Sequence, residues 1–303
     1  MNILDLVGNT PLLELSKISL GRGKPRPPGA ALYAKAEFCN PSGSVKDRAA
    51  KAMLLEGMAA GKLAPGKTVI DATSGNTGIA YSMMGAALGF PVKVFLPANA
   101  SAERKGIMRQ YGAEIVETSA LEGSDGAFLA AGEEAAAHPE KYFYPNQYNN
   151  DANWRAHYQG TGPEIWDQTA GGLTHFICGM GTSGTFMGIS RRLKELNPAI
   201  ATIAVQPDSP FHGIEGTKHM ASTIRPGFYD ETRADAFIEV NTEEAYCLAR
   251  RLAREEGIHA GVSSAANVLA ALKLAETLSA PAVIVTILCD TGMRYVSDQF
   301  WDG

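Results

Sequence analysis

Short apolar runs rich in β-branched residues alternate along most of this chain with segments whose apolar residues recur at helical spacing. The strand-like runs lie at residues 32–38, 68–72, 92–97, 114–118, 174–178, 202–205 and 281–288. Helical patterns lie between them, at residues 45–58, 79–88, 102–111, 124–137 and 186–196. This alternation is typical of a doubly wound α/β protein with parallel sheets, which is the fold class we predict. The run at 281–288 predicts a strand that is buried on both faces.

Composition and charge narrow the class of protein. The chain has 303 residues, 45% of them apolar, which is ample for one or two domains with a buried core. A net charge of −5 argues against a nucleic acid or an anionic membrane surface as the main partner. We see no secretory signal at the N-terminus, and the longest apolar run is too short to span a bilayer. We therefore expect a cytoplasmic protein.

Cysteine and histidine spacing predicts neither a disulfide nor a metal site. The four cysteines are scattered: Cys39, Cys178, Cys247 and Cys289. No C-x-x-C pair occurs, and Cys178 and Cys289 end predicted buried strands, so reduced thiols are expected. The six histidines show no ligand spacing, so no metal is expected. His157 and His175 are interpreted as ordinary histidines.

A loop of small residues leads into the first helical pattern and carries a lysine: Pro41-Ser42-Gly43-Ser44-Val45-Lys46-Asp47-Arg48. Ser44 and Asp47 have the spacing of a capping box, which predicts that the helix begins at Ser44 with Lys46 in its first turn. The positive end of the helix dipole disfavours a second positive charge there and favours the neutral amine of Lys46. A neutral amine is the form that imine chemistry requires. Taken alone, such a lysine is more often a solvated side chain that follows a helix cap.

A glycine-rich turn, Gly179-Met180-Gly181-Thr182-Ser183-Gly184-Thr185, lies between a predicted strand and a predicted helix. Free backbone N–H groups and the helix dipole at such a turn bind phosphate, and three hydroxyls add donors. The same glycines satisfy the dinucleotide fingerprint G-x-G-x-x-G. However, the acid expected at the end of the next strand is missing, because that strand ends in Gln206-Pro207. A small phosphorylated cofactor therefore fits better than a dinucleotide.

A second turn between strand and helix, Thr73-Ser74-Gly75-Asn76-Thr77-Gly78, offers similar donors. A carboxylate suits a helix N-terminus as well as a phosphate does. On its own, this turn is equally well explained as a hydrophilic helix cap.

An imine-forming lysine, a phosphate site and a carboxylate site together indicate a pyridoxal-phosphate enzyme that acts on an amino acid. At this level the chain resembles the cysteine synthase (O-acetylserine sulfhydrylase) family of fold-type II pyridoxal-phosphate enzymes, and most of all its B-type (CysM-like) members. Besides the lysine loop and the two turns, the shared motifs are Gly8-Asn9-Thr10-Pro11-Leu12, Gly160-Thr161-Gly162-Pro163-Glu164-Ile165-Trp166, Gly261-Val262-Ser263-Ser264 and Cys289-Asp290-Thr291-Gly292.

The resemblance implies a tryptophan synthase β-like fold with two doubly wound, three-layer α/β domains and the active site in the cleft between them. Residues 38–145 would form a smaller, mobile domain that carries Lys46 and the Asn76 turn. Residues 1–37 and 146–303 would form a larger domain that carries the phosphate turn and Ser263. The resemblance also implies a homodimer.

The resemblance further implies a role for each matching residue. Lys46 would form the internal aldimine with pyridoxal 5′-phosphate and handle the α-proton. Asn76 would bind the ring hydroxyl of the cofactor, and Ser263 would meet the pyridine nitrogen. The cofactor phosphate would be held by Gly181, Thr182, Ser183, Gly184 and Thr185. The substrate carboxylate would be received by Thr73, Ser74, Gly75, Thr77 and Gln147.

The implied reaction is a β-replacement in which an O-activated L-serine, O-acetylserine above all, and sulfide give L-cysteine through an α-aminoacrylate. Alternatives are a cystathionine β-synthase-like condensation of serine with homocysteine, an O-phosphoserine sulfhydrylase, a catalytically silent scaffold and a dinucleotide-binding protein.

Two features of the sequence bear on substrate choice and local geometry. The family usually has Gly where this chain has Ala265, directly after Ser263-Ser264. Lys218, His219 and Arg225 lie in the segment that helps to choose the substrate in relatives. These three charged or titratable side chains are interpreted here as solvated rather than as binding an anionic substrate.

Overall fold

The computed structural model describes residues 1–21, 26–73 and 75–302, and its strands form two β-sheets. Numbered along the chain, the strands are β1 (Leu12–Glu14), β2 (Ala30–Ala36), β3 (Thr68–Ala72), β4 (Val92–Pro97), β5 (Glu114–Thr118), β6 (Tyr142–Phe143), β7 (His175–Gly179), β8 (Ala201–Pro207), β9 (Ala236–Val240) and β10 (Ala282–Leu288).

The larger sheet has six strands in the order β1-β2-β10-β7-β8-β9. Only β1 runs antiparallel to its neighbour; the other pairs are parallel. β10 lies inside the sheet and pairs with β2 from Ala282 opposite Ala30 to Leu288 opposite Ala36. Every residue of β10 except Val283 is buried. This confirms the doubly buried strand predicted from the apolar run at 281–288.

The smaller sheet is entirely parallel, in the order β5-β4-β3-β6. Neighbouring residues of β3 point to opposite faces: Val69 packs in a core with Met53 and Ile79, whereas Ile70 packs in another core with Ala127. Helices therefore cover both faces of this sheet, and the predicted α/β fold with parallel sheets is confirmed. All four strands lie within residues 38–145, the range predicted for the smaller domain; the division of the chain into domains stays a prediction.

The helices connect the strands and cover the sheets. They are α1 (Lys46–Ala59), α2 (Asn76–Leu88), α3 (Ala102–Gln110), α4 (Gly123–Ala137), α5 (Ala152–Ala156), α6 (Gly162–Gln168), α7 (Gly184–Leu196), α8 (Thr242–Arg251) and α9 (Val262–Ala275). A π-helical turn, His157–Thr161, joins α5 to α6, and a second, Leu252–Glu256, follows α8. Within the described residues, no helix has both the length and the apolar character needed to cross a lipid bilayer.

The first helix begins two residues later than the sequence predicts, at Lys46 instead of Ser44. Ser44 is fully buried and its backbone forms an isolated bridge with Asp290, which keeps it outside the helix. The Asp47 carboxylate accepts hydrogen bonds from the backbone N–H of Ser42, at 2.7 Å, and from the Ser42 hydroxyl. The predicted capping box is therefore wrong, although Lys46 does lie in the first turn.

Candidate active site

Three helix N-termini meet beside the carboxyl end of β10. Lys46 begins α1, Asn76 begins α2 and Gly184 begins α7, and all three line a first cavity with an empty volume of about 490 Å³. A second cavity of about 550 Å³ is also lined by Lys46 and Asn76, together with Thr77 and Gln147. The structure thus brings the lysine loop and both predicted turns together around two connected spaces.

The loop before Lys46 is fixed to the end of β10. The backbone N–H of Val45 donates to the Cys289 carbonyl at 2.8 Å, and Ser44 bridges to Asp290. The Ser44 hydroxyl accepts from the Lys46 N–H at 3.3 Å. These contacts hold the backbone of Lys46 while its half-buried side chain faces both cavities.

The glycine-rich turn after β7 has the features of a phosphate site. Ser183 adopts a left-handed conformation with φ of 64°, and its hydroxyl is buried without a hydrogen-bond partner. A Cβ at Gly181 would run into the carbonyl of Gly216, and a Cβ at Gly184 would run into the side chain of Asn153. An unpaired hydroxyl in a turn that tolerates no added side chain fits the phosphate of pyridoxal phosphate.

Helix α5 and the π-helical turn that follows it supply side chains that contact the hydroxyls of the glycine-rich turn. Asn153 Nδ2 donates to Thr182 Oγ1 at 3.0 Å, and Nε2 of His157 lies 3.3 Å from Thr185 Oγ1. The other ring nitrogen of His157 lies 2.9 Å from Thr161 Oγ1. Burial, with the nearby charges of Arg48 and Lys46, holds the pKa of His157 well below its usual value, so the ring is neutral.

The sequence gives no signal for either residue, because Asn153 and His157 acquire their role only when α5 packs against α7. His157 is thus more than an ordinary histidine, since it contacts the predicted phosphate turn. His175, by contrast, pairs with the Thr174 hydroxyl beside it, at 2.7 Å.

The turn predicted to receive a carboxylate is held by its own side chains. Thr73 Oγ1 accepts from the N–H groups of Gly75, at 2.9 Å, and Gly78, at 3.3 Å. Thr77 Oγ1 donates to Gln147 Oε1 at 2.9 Å, and Gln147 Nε2 donates to the carbonyl of Ala72. Thr77 and Gln147 therefore stand side by side in the second cavity. Ser74 lies outside the described residues.

Asp71 lies under this turn and is fully buried at the end of β3. Its carboxyl group accepts from the N–H of Ala72 at 2.8 Å, the hydroxyl of Tyr81 at 3.0 Å and the N–H of Gln147 at 3.3 Å. Burial raises the pKa of Asp71 to about 7, despite these three hydrogen bonds. The native state therefore binds a proton that the unfolded chain releases near pH 4.

We expect Asp71→Asn to change how the free energy of unfolding depends on pH. Because the folded-state pKa is raised, the Asp71 carboxyl stabilises the fold at low pH, and that contribution is lost as pH rises toward 7. The stability of the variant relative to wild type should rise by about 2 kcal/mol between pH 5 and pH 7. Denaturant unfolding of both proteins at several pH values measures this difference. A difference that does not vary with pH would show that Asp71 is ionised throughout.

The side-chain amide of Asn76 is oriented by two residues near the C-terminus, Asp290 and Arg294. Its Nδ2 donates to Asp290 Oδ2 at 2.7 Å, and its Oδ1 accepts from the guanidinium of Arg294. Asp290 also accepts from the hydroxyl of Tyr295 at 2.5 Å. Arg294 is nearly fully buried and also donates to the carbonyl of Ser42 in the lysine loop. The motif that begins at Cys289 thus positions Asn76, and sequence reasoning had given Arg294 no role.

Ser263 and Ser264 face different surroundings at the start of α9. Ser263 lines the first cavity, whereas the Ser264 hydroxyl is fully buried and accepts from the Cys289 N–H at 2.8 Å. Ala265 is also fully buried, and its N–H donates to the Gly261 carbonyl at 3.2 Å, within an uninterrupted helix. The added methyl group is therefore accommodated without a break in α9.

The structure contradicts the interpretation of Lys218 as a solvated side chain. Its side chain is only 8% exposed, and Nζ lies 2.8 Å from Asp125 Oδ1 and 4.8 Å from the centre of the Tyr148 ring. Lys218 lines the second cavity. The interpretation was wrong because nothing in the sequence shows that α4, which carries Asp125, packs against this segment. Arg225 is exposed, as expected.

Within the described ranges all four cysteines are free, and no three His, Cys, Asp or Glu side chains cluster so that they could hold a metal ion. Cys178 and Cys289 line the first cavity. Burial raises the pKa of Cys289 to about 11 and that of Cys178 well above its ordinary value, so both remain protonated thiols.

Known proteins resemble this chain over nearly its whole length. The family described as "Pyridoxal-phosphate dependent enzyme" matches residues 3–290. A cysteine synthase of Aquifex aeolicus is 51% identical over 97% of this chain and 90% of its own length. Cysteine synthase B of Pseudomonas aeruginosa is 44% identical over 99% of this chain and 97% of its own length.

A solved structure extends the likeness to the fold. An O-acetylserine dependent cystathionine β-synthase from Helicobacter pylori superposes with a TM-score of 0.92 at 35% identity, covering 99% of this chain and 98% of that one. With a lysine, a phosphate turn and a carboxylate turn around one pair of cavities, the chain belongs to the pyridoxal-phosphate dependent enzymes, and among them to the cysteine synthases.

Proposed function

We propose that this chain makes L-cysteine by β-replacement, from O-acetylserine and sulfide. The observation that carries the proposal is that Lys46 lines both cavities at once. The first cavity holds the phosphate turn and Ser263, and the second holds Thr77 and Gln147. One amine can therefore reach both a cofactor in the first cavity and an amino acid in the second.

The binding roles that the family resemblance implies are part of this proposal. Residues 181–185 hold the cofactor phosphate, Asn76 binds the ring hydroxyl and Ser263 meets the ring nitrogen. The substrate carboxylate is received by Thr73, Ser74, Gly75, Thr77 and Gln147.

Lys46 has two duties in the proposed reaction. When bound, pyridoxal phosphate supplies the electron sink that makes the Cα proton acidic. With the cofactor bound, the Lys46 amine would hold it until the substrate amine takes its place, and the Lys46 amine would then accept the Cα proton. The electron pair of that C–H bond forms a Cα–Cβ double bond as acetate leaves with the pair of the C–O bond. Sulfide adds to Cβ, and Lys46 returns its proton to Cα.

Product analysis with paired substrates tests this function. O-acetylserine with sulfide should give cysteine with ping-pong kinetics. Serine or O-acetylserine with homocysteine tests for cystathionine formation, the activity named for the Helicobacter pylori relative. O-phosphoserine with sulfide tests for an O-phosphoserine sulfhydrylase. If homocysteine is consumed much faster than sulfide, the cystathionine-forming alternative replaces our proposal.

We expect Ser183→Ala to weaken cofactor retention without unfolding the protein. The variant deletes one hydrogen bond to a charged acceptor, worth about 1.5–3 kcal/mol, or about ten- to a hundredfold in affinity. Dialysis followed by cofactor titration measures the loss. Ser190→Ala is the matched control, because Ser190 is equally buried on α7 but donates to the carbonyl of Phe186 at 2.6 Å. Equal affinities for Ser183→Ala and Ser190→Ala would place the phosphate elsewhere.

We also propose that residues 38–145 move as a unit to open the cleft. Opening would separate Asp125 from Lys218, and Glu103 from the N–H and hydroxyl of Ser297, each at 3.0 Å. Both of these contacts are polar, so they can break and form again when the cleft opens and closes. We also propose a homodimer, which the family resemblance implies, and a cytoplasmic location, which is expected from the sequence.

A further inference from the structure

Lys218 is a buried cation in the substrate cavity that the proposed function leaves without a role. It shares the second cavity with Lys46, Thr77 and Gln147. Its backbone N–H donates to the carbonyl of Met180 at 2.7 Å, which ties it to the phosphate turn. Backbone and side chain are thus both held, so the ammonium group has a fixed place in the wall of the cavity.

Asp125 limits the charge that Lys218 presents. Asp125 Oδ1 lies 2.8 Å from Lys218 Nζ, while Asp125 Oδ2 accepts from the N–H of Ile224 at 3.1 Å. The pair carries no net charge, yet an ammonium group has three donors and Asp125 occupies one of them. A neighbouring Arg104–Glu215 ion pair likewise adds no net charge to the outer cleft.

The location of Lys218 indicates which part of the substrate it contacts. The substrate carboxylate is directed to Thr77 and Gln147, and the amino nitrogen and Cα lie near Lys46. The group on the serine oxygen is then left to face the remaining wall of the second cavity, which includes Ser124, Tyr148 and Lys218.

We infer that Lys218 binds the oxygen atoms of the leaving group and that Asp125 sets the enzyme to prefer an acetyl over a phosphoryl group. This inference rests on the proposed β-replacement. An acetyl ester is neutral and departs as a monoanion, which one shared ammonium group can stabilise. A phosphoryl group brings about two negative charges, and the Asp125 carboxylate beside Lys218 repels them, which offsets part of the attraction from Lys218.

Asp125→Asn is the decisive variant, because it removes the charge but keeps the shape of the side chain and one of its two acceptor oxygens. For wild type, kcat/KM should be higher with O-acetylserine than with O-phosphoserine. In Asp125→Asn, the ratio of O-phosphoserine to O-acetylserine kcat/KM should rise at least about tenfold, because one unit of charge near the phosphoryl group is removed. Inorganic phosphate should also bind the variant holoenzyme more tightly, measured by calorimetry.

Variants of Lys218 provide the second arm. Lys218→Met should lower kcat/KM for both esters, and Lys218→Arg, which keeps the charge, should restore most of it. Glu244→Gln is the matched control, since Glu244 pairs with Lys273 at 2.6 Å outside both cavities. Its ratio of O-phosphoserine to O-acetylserine kcat/KM should equal that of wild type.

The outcomes separate this inference from the proposed function. A wild type that converts neither ester would overturn the β-replacement itself. A wild type that is active but prefers O-phosphoserine, or an Asp125→Asn variant whose substrate ratio and phosphate affinity match those of wild type, would overturn only the role of Asp125 and Lys218.

Discussion

Lys46→Ala is expected to yield folded protein that cannot anchor pyridoxal phosphate covalently and that turns over at least about a thousandfold more slowly than wild type. The variant loses the amine that anchors the cofactor and the group that accepts the Cα proton, and each of these contributes orders of magnitude to the reaction rate. Alanine is a good helix former at the first position of α1, and Lys46 makes no side-chain ion pair within the described residues, so the fold should remain. Lys218, the other amine in the second cavity, is held by Asp125 and should not substitute.

Three measurements test this expectation. Circular dichroism reports the fold, and borohydride treatment followed by mass spectrometry reports whether the cofactor is fixed to the protein. Lys51→Ala is the matched control, because Lys51 lies on the same helix but donates to the carbonyl of Leu4 at 2.8 Å, outside both cavities. A Lys46→Ala variant that retains more than a tenth of the wild-type rate would refute the assignment of Lys46.

Local sequence patterns predicted the parts of the site that are built from single segments. The turn at 179–185 follows a strand and opens a helix, as predicted, and the features that suggest a phosphate site are backbone features of that one segment. The same holds for the turn at 73–78. Each turn lies at the carboxyl end of a parallel strand, but the two strands belong to different sheets, and residues of both turns line the first cavity.

Contacts between distant segments could not be predicted in this way. Ser44 failed as a helix cap because it pairs with Asp290, far along the chain. His157 reaches Thr185 only through the packing of a π-helical turn against α7. Lys218 is buried only because Asp125 meets it across the cleft. In each case the sequence shows the residue type, but its partner depends on tertiary packing.

Two family motifs without a role in the proposed chemistry, residues 8–12 and 160–166, contact a buried charge network close to Lys46. Arg48 lies two residues after Lys46 and binds Glu37 through Nε at 2.7 Å and Glu164 through Nη1 at 2.7 Å. Lys35 Nζ lies 2.7 Å from Glu164 and donates to the Thr10 carbonyl at 2.5 Å. The N-terminal motif and the motif around Glu164 are thus joined to α1, the helix that begins at Lys46.

The charges in this network are buried and compensate one another. Lys35 and Glu37 are completely buried and Arg48 is nearly so. Burial opposes ionisation of Glu164, but hydrogen bonds and charge from Arg48 and Lys35 hold its pKa down to about 2. The four charges sum to zero, so the network tolerates burial only while it is complete.

Arg48→Met should therefore destabilise the protein by about 3–5 kcal/mol, because it leaves Glu37 buried without its cation. Arg155→Met is the matched control: Arg155 also binds a glutamate, Glu56, at 2.8 Å, but this pair is exposed and should be worth about 1 kcal/mol or less. Denaturant unfolding of both variants measures the two losses.

The double variant Arg48→Met/Glu37→Met distinguishes stability lost through an unpaired buried charge from stability lost through poorer packing. Removing both charges should recover part of the stability lost in Arg48→Met, because no unpaired carboxylate then remains at position 37. Equal losses in Arg48→Met and Arg155→Met, or a double variant no more stable than Arg48→Met, would show that the network does not support α1. If the network does support α1, Arg48→Met should also lower cofactor occupancy, since the helix that it anchors begins at Lys46.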